Sequence, residues 1–275
     1  MNRAAQNSHR TASGFILKFL IFILAFTILT MGMQSLLQKF RSHGTDSGTD
    51  EVSLGLSKAQ RIVILDAGHG GEDGGASAKD GTAEKDLNLS LTVLLADLLR
   101  ASGVTVILTR DSDRLLYDPS ADYRGKKKIL DQRARIDTAE RVVREHADAE
   151  VLFVSIHMNS YPQSDVRGLQ VWYSPNHNAS APLAERIQSS SAQYVQNATV
   201  KGIKKAGSNI FLLNRLTTPA VLIECGFLSS PEEAAQLASK AYQKQLAFAI
   251  TAAILNFEMP IRTPEEVQSA TAWFP

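Results

Sequence analysis

The sequence contains a single cysteine, Cys225, among 275 residues. One thiol excludes an intrachain disulfide framework and any zinc site built from several cysteines. An excess of charge of one sign is also missing, because 29 lysine and arginine residues stand against 28 acidic residues. A nucleic-acid-binding domain would be expected to carry a basic patch or stripe. We therefore expect no nucleic-acid partner.

Long apolar runs are scarce, and the run that stands out is GFILKFLIFILAFTILTMGM at 14–33. Its length matches the roughly 20 residues that span a bilayer as a helix. Arg3 and Arg10 precede it, which favours a cytoplasmic N-terminus. The sequence therefore predicts a short cytoplasmic segment at 1–13 and a transmembrane anchor at 14–37. A cleaved signal peptide is the alternative, although no Ala-x-Ala-like site follows the run.

Composition divides the rest of the chain into three parts. Residues 38–58 are small and polar for most of their length, which suits a flexible linker. Residues 59–258 have the pattern of a folded domain, and 259–275 carry three prolines without a clear period, as in a loose tail. With an anchor at 14–37, this domain would lie outside the cytoplasm.

Short β-rich runs alternate with amphipathic helical stretches throughout the central domain. This alternation, with continuous apolar strands, predicts an α/β fold with a mostly parallel, mixed sheet covered by helices on both faces. In the first helix the sequence places four leucines on the inward face, namely Leu87, Leu91, Leu94 and Leu98.

Polar side chains follow three of the predicted strands at their carboxyl ends. RIVILD leads into a glycine-rich loop that carries His69, VLFVSIHMN ends with His157 and Asn159, and AVLIECG contains Glu224. Glu84 begins the helix that follows the glycine loop. In open sheets of this kind, ligands bind beyond the carboxyl ends of the strands, so we expect these groups to share one edge.

Two neutral imidazoles and a carboxylate form a zinc ligand set that leaves a fourth position for water. Each residue alone has a simpler interpretation: Glu84 could complement a helix N-terminus, and His157 could be a core histidine. Glu224 is harder to explain in this way, because a carboxylate after AVLI is costly unless it is paired or lies in a cleft. The glycine loop lacks the Gly-Lys-Ser/Thr ending of a phosphate-binding P-loop.

Four motifs in order, LDAGHGGEDGG, EKDLNL, SIHMNS and AVLIECGFLSS, resemble the zinc-dependent N-acetylmuramoyl-L-alanine amidases of the amidase-3 family. The resemblance implies that one zinc ion is held by His69, Glu84 and His157. It also implies that Glu224 is the catalytic glutamate. Within the family, the N-terminal apolar run, the compact length and the basic stretch at 123–136 resemble most the germination-specific, CwlD-type amidases.

Two positions depart from the family pattern, and two further residues are candidates for substrate contact. Ala67 stands where proline is common, and Thr138 stands where asparagine often follows the helical arginine. Asn159 belongs to the SIHMNS motif. Arg215 could meet a substrate carboxylate, although an ordinary structural or solvated ion pair is the alternative.

The resemblance implies hydrolysis of the amide bond between the lactyl group of N-acetylmuramic acid and L-alanine in peptidoglycan. A CwlD-type enzyme would act on spore cortex, where peptide removal leads to muramic δ-lactam. Two alternatives are a non-catalytic, membrane-anchored peptidoglycan-binding module, and a zinc peptidase or deacetylase that acts on another cell-wall bond.

Overall fold

The computed structural model describes residues 60–117, 120, 127–196 and 198–260. The predicted segments at 1–13, 14–37 and 38–58, and the tail after residue 260, lie outside this part of the chain. Within the described part, no helix combines the length and the apolar character needed to cross a membrane.

The described residues form an α/β domain with six strands and five α-helices. The strands are β1 (Arg61–Ala67), β2 (Thr105–Leu108), β3 (Glu150–Asn159), β4 (Gln170–Tyr173), β5 (Lys204–Lys205) and β6 (Ala220–Phe227). The helices are α1 (Glu84–Ala101), α2 (Lys127–Glu145), α3 (Ser180–Tyr194), α4 (Pro231–Ala238) and α5 (Lys240–Leu255).

The strands form one sheet in the order β2-β1-β3-β6-β4-β5. Strands β2, β1, β3 and β6 run parallel, whereas β4 is antiparallel to β6. The predicted mixed, mostly parallel sheet is therefore confirmed. Since β1, β3 and β6 are neighbours, their carboxyl ends lie side by side.

The two faces of the sheet are covered by different elements because alternate residues of each strand point to opposite faces. Val63 and Leu65 of β1 belong to the core that includes the buried residues of α1, α3, α4 and α5. Ile62 and Ile64 belong to the opposite core, which includes residues of α2 and of the segment 206–216. Helices thus cover both faces, as predicted.

The buried face of α1 differs in part from the prediction. Leu87 and Leu91 are buried as expected, but the stripe continues through Leu95 and Leu99, whereas Leu98 is 37% exposed. Leucines in adjacent positions at 94–95 and 98–99 make both stripes compatible with a helical period. Packing against both the sheet and α5 selects the second stripe.

A buried ion pair lies at the carboxyl end of β1. The Asp66 carboxylate accepts hydrogen bonds from the hydroxyls of Thr109 and Ser155, each at 2.6 Å, and from the Arg135 guanidinium. Arg135 also donates to Asp131 of the same helix, at 3.0 and 2.9 Å. All three charged side chains are almost completely buried. The charge of Asp66 is therefore compensated by Arg135, and that of Arg135 by the two carboxylates.

Two buried arginines hold the backbone that follows β1. Arg110 donates to the carbonyl oxygens of Ala67 (2.8 Å) and Gly68 (2.9 Å). Arg135 donates to the carbonyl oxygens of Ala67 (2.9 Å) and His69 (2.8 Å). Three consecutive carbonyl groups at the start of the glycine loop are therefore fixed by two guanidinium groups.

Asp66→Asn should lower the free energy of unfolding by about 3 kcal/mol at neutral pH, because Arg135 then keeps only one of its two buried carboxylate partners, Asp131. Burial alone would raise the pKa of Asp66, but Arg135, Ser155 and Thr109 outweigh it and hold this pKa below its ordinary value. The contribution of the charge is therefore complete above about pH 4 and is lost as the pH falls through the folded-state pKa.

Urea unfolding of the parent and the variant, at pH 7 and again near pH 3, measures both effects. The matched control is Glu145→Gln, which removes an exposed carboxylate paired with Arg141 on α2 and should change stability by less than about 1 kcal/mol. Equal losses in the two variants, or a difference between parent and Asp66→Asn that does not shrink in acid, would contradict the role given to this ion pair.

Candidate metal centre

The glycine loop after β1 brings His69 towards the two neighbouring elements. His69 adopts a left-handed backbone conformation, with φ of 60°, which non-glycine residues seldom occupy. The loop also needs glycine for close approach, since a Cβ at Gly68 would lie 2.2 Å from Nε2 of His157. A Cβ at Gly75 would lie 2.5 Å from Oε2 of Glu84. The absence of side chains at these positions leaves room for the groups that meet here.

His69, Glu84 and His157 converge on one point at the carboxyl edge of the sheet. Nε2 of His69 lies 3.3 Å from Oε1 of Glu84, and Nδ1 of His157 lies 3.0 Å from the same oxygen. One nitrogen or oxygen from each of the three side chains lies within 4.8 Å of the others. Residues distant in the sequence are thus brought together as expected.

Glu84 is held in position from both of its oxygens. Oε2 accepts the backbone N–H of Ala76 at 2.8 Å, and Oε1 accepts that of Met158 at 3.1 Å. Glu84 is also the first residue of α1, where the helix dipole favours a negative charge. The carboxylate therefore links the glycine loop, α1 and the end of β3.

The charges of the three groups are strongly coupled. Burial alone would lower the pKa of His69, but the bonds with Asp73 and Glu84 outweigh it and raise this pKa to about 9. Burial alone would raise the pKa of Glu84, yet His157 and His69 hold it far below its ordinary value. The site thus holds an ionised carboxylate that can accept a cation.

This geometry and donor set fit a metal ion. Two imidazole nitrogens and a carboxylate oxygen are donors that divalent transition metals accept. They lie close enough to converge on one cation, and the glycines at 68 and 75 keep the space around the donors free of a Cβ. The three residues therefore form a group that could hold one metal ion.

Glu224 lies beside this group on the next strand. It pairs with His157 across β3 and β6 in the register of the sheet, and its Oε2 is buried without a hydrogen-bond partner. Burial raises the pKa of its carboxyl to about 7, with His157 and His69 opposing this shift and Glu84 adding to it. A buried carboxylate oxygen without a partner is costly in structural terms, so its presence here points to a chemical role.

The other residues singled out from the sequence have local contacts. Asn159 accepts the backbone N–H of Ser160 at 2.8 Å through its side chain, next to an irregularity in the β3–β6 register. Arg215 is exposed, and its guanidinium lies 5.1 Å from the centre of the Phe211 ring. Thr138 donates to the carbonyl oxygen of Ala134 in its own helix at 2.9 Å. Substrate contact by Asn159 and Arg215 stays a prediction.

Sequence reasoning missed Asp73, Arg110 and Arg135. Asp73 accepts a hydrogen bond from Nδ1 of His69 at 2.8 Å. The position of an aspartate four residues after the histidine was the available signal, but within a loop this spacing has no fixed geometrical meaning. The buried arginines gave no such signal, because their partners are backbone carbonyls that no sequence pattern identifies.

Fold and site together define the class as a hydrolase-type α/β domain that can hold one metal ion beside a buried carboxylate. A family model described as N-acetylmuramoyl-L-alanine amidase matches residues 63–256, which include all four of these side chains. The chain belongs to the N-acetylmuramoyl-L-alanine amidase family.

Individual relatives and solved structures agree with this family. The germination-specific N-acetylmuramoyl-L-alanine amidase of Bacillus subtilis is 35% identical over 241 residues, which cover 88% of this chain and 94% of the relative. The structure of the CwlD amidase from Clostridioides difficile in complex with the GerS lipoprotein shares 38% identity with a TM-score of 0.63, over 70% of this chain and 96% of that one. The amidase AmiC2 of Nostoc punctiforme shares 34% identity with a TM-score of 0.59, over 70% and 94% of the two chains.

Gly68→Ala should weaken zinc binding by at least about tenfold, a loss on the scale of outer-shell substitutions. The added methyl group would displace the His157 ring, whose Nε2 lies 2.2 Å from its position. Gly68 does not have a positive φ, so the change tests steric contact rather than backbone strain. Competition with a fluorescent chelator measures the dissociation constant.

Gly74→Ala is the matched control in the same loop, since no atom lies within 4 Å of its added Cβ. It should bind zinc as the parent does. Tight zinc binding by Gly68→Ala would show that the close approach of loop and His157 is not needed for the site.

Proposed function

We propose that this chain hydrolyses the amide bond between the lactyl group of N-acetylmuramic acid and L-alanine of the peptidoglycan stem peptide. His69, Glu84 and His157 would hold one zinc ion, and Glu224 would act as general base and then as general acid. The observation that carries the proposal is the position of Glu224, whose unpartnered, buried oxygen lies beside the His–Glu–His group.

His69, Glu84 and His157 would place a zinc ion here, and its Lewis acidity would lower the pKa of water and polarise an amide carbonyl. Glu224 takes the proton of the attacking water through its free oxygen. Its raised pKa, about 7, suits a group that must accept and release a proton near neutrality. The same carboxyl group then protonates the nitrogen of L-alanine. Without this proton the nitrogen would have to leave as an anion, which is a poor leaving group.

The resemblance to sporulation enzymes supports a narrower role. Both the germination-specific amidase of Bacillus subtilis and the CwlD amidase of Clostridioides difficile share more than a third of their aligned residues with this chain. We therefore propose spore-cortex peptidoglycan as the substrate, with removal of the stem peptide leading to muramic δ-lactam.

Glu224→Gln should lower the rate of amide hydrolysis by at least about a hundredfold, the usual scale of general acid–base catalysis. It should keep its zinc, because none of the three proposed ligands is changed. Release of stem peptides from purified peptidoglycan, followed by mass spectrometry, measures the rate. The proposed reaction leaves a peptide with a free L-alanine N-terminus and an unsubstituted lactyl group on the glycan.

Glu232→Gln is the matched control, because Glu232 is an exposed glutamate that follows the same strand and pairs with Arg167. It should retain the parent rate. Near-normal turnover by Glu224→Gln would remove Glu224 from the mechanism. A parent protein that retains sacculi without releasing peptides would instead indicate a binding module, and products cut at another bond would indicate a peptidase or deacetylase.

We further propose that residues 14–37 anchor the catalytic domain to the outer face of the membrane. The full chain should then sediment with membranes and resist extraction by carbonate, whereas a chain that begins at residue 38 should be recovered in the soluble fraction. A mature N-terminus that begins beyond residue 33 would identify the apolar run as a cleaved signal peptide instead.

A further inference from the structure

Asp73 has a contact that neither the fold nor the proposed reaction accounts for. Its Oδ2 lies 2.8 Å from Nδ1 of His69, and its Oδ1 accepts the backbone N–H of Gly75 at 3.2 Å. The carboxylate therefore has two different partners, one for each oxygen. Its side chain is about one third exposed, so a substitution at this position should not disturb the hydrophobic core.

The backbone places Asp73 beside His69 independently of the Asp73 side chain. Gly70 and Asp73 exchange two backbone hydrogen bonds, at 2.9 and 3.1 Å, which close the turn between them. Arg135 separately holds the carbonyl oxygen of His69 at 2.8 Å. Because the turn is closed without the carboxylate, the carboxylate is available for a role at the imidazole ring.

The contact determines which nitrogen of His69 carries a proton. A carboxylate can only accept a hydrogen bond, so the proton between the two groups stands on Nδ1. Nε2 faces Oε1 of Glu84 at 3.3 Å. A metal ion held between these two atoms would need a lone pair on Nε2, and the single proton of the neutral ring then stays on Nδ1. Histidines that ligate metals commonly donate their second N–H to a carboxylate in this way.

We propose that Asp73 is a positioning residue that fixes the tautomer and the ring orientation of His69, so that Nε2 is presented to a metal ion. This inference rests on the proposed zinc centre. Asp73 itself touches neither the ion nor the substrate and acts through His69 alone.

An asparagine at this position cannot serve both partners. Its amide oxygen can satisfy the N–H of Gly75, in which case the amide NH₂ faces Nδ1 of His69 and favours the tautomer that is protonated on Nε2. If the amide is turned around, its NH₂ opposes the N–H of Gly75. The first orientation works against a lone pair on Nε2, and the second, which keeps the proton on Nδ1, loses the hydrogen bond to Gly75 and places two donors against each other.

Asp73→Asn should therefore weaken zinc binding by roughly 10–100-fold, measured on the full chain by competition with a chelator. The matched control is Asp113→Asn, since Asp113 accepts the N–H of Gly71 in the same loop and binds Lys85 without touching a histidine. It should bind zinc nearly as tightly as the parent. Asp73→Glu, which keeps a carboxylate, should bind zinc more tightly than Asp73→Asn and serves as a second variant.

Long-range ¹H–¹⁵N correlation spectra of the zinc-loaded parent supply a readout other than activity, and the proton of His69 should stand on Nδ1. A proton on Nε2, parent-like zinc affinity in Asp73→Asn, or equal losses in Asp73→Asn and Asp113→Asn would overturn the inference. These outcomes leave the proposed function intact. Failure of the parent itself to bind zinc would remove the metal centre and the inference together.

Discussion

The site depends on the fixing of a short piece of backbone by two buried guanidinium groups. Arg110 and Arg135 together bind the carbonyl oxygens of Ala67, Gly68 and His69. A left-handed histidine followed by glycines would otherwise sample many conformations, because glycine restricts the chain so little. Asp66 makes this arrangement possible, since it compensates the charge of Arg135 in the interior. The charge pair in the core therefore determines where the imidazole of His69 lies.

Electrostatic interactions also connect the side chains of the proposed metal centre. Glu84 lies between two imidazoles and is held by two backbone N–H groups, so its charge stays in place. Glu224 lies on β6, beside His157 of β3, and its buried Oε2 has no hydrogen-bond donor. Two carboxyl groups at the same edge thus differ in pKa because their surroundings differ, with the pKa of Glu84 lowered and that of Glu224 raised. Such a separation would give the proposed metal ligand Glu84 a permanent charge and would let the proposed acid–base group Glu224 exchange a proton.

The sheet and the meeting of the four side chains could be predicted from the sequence, because the carboxyl ends of neighbouring parallel strands share an edge. The leucines of α1 that are buried could not be predicted in full. Leucines at both 94 and 95 satisfy a helical period, and only packing decides between them. Asp73 and the two arginines were also beyond prediction, because their partners are a ring nitrogen and backbone carbonyls whose positions depend on the folded loop. The side chain of Asn159 binds its own neighbour, Ser160, so membership of a motif did not reveal its contact.

The pairing of His157 with Glu224 across adjacent strands has a consequence for movement at the site. Both residues belong to central strands of the sheet, most of whose residues are buried, and local opening is unfavourable in such strands. The distance between the proposed ligand His157 and the proposed acid Glu224 is therefore set by the ladder of the sheet. An adjustment that admits a bulky glycan strand would then have to come from the loops around them. Differences in substrate preference can then arise from those loops, while the spacing between His157 and Glu224 stays the same.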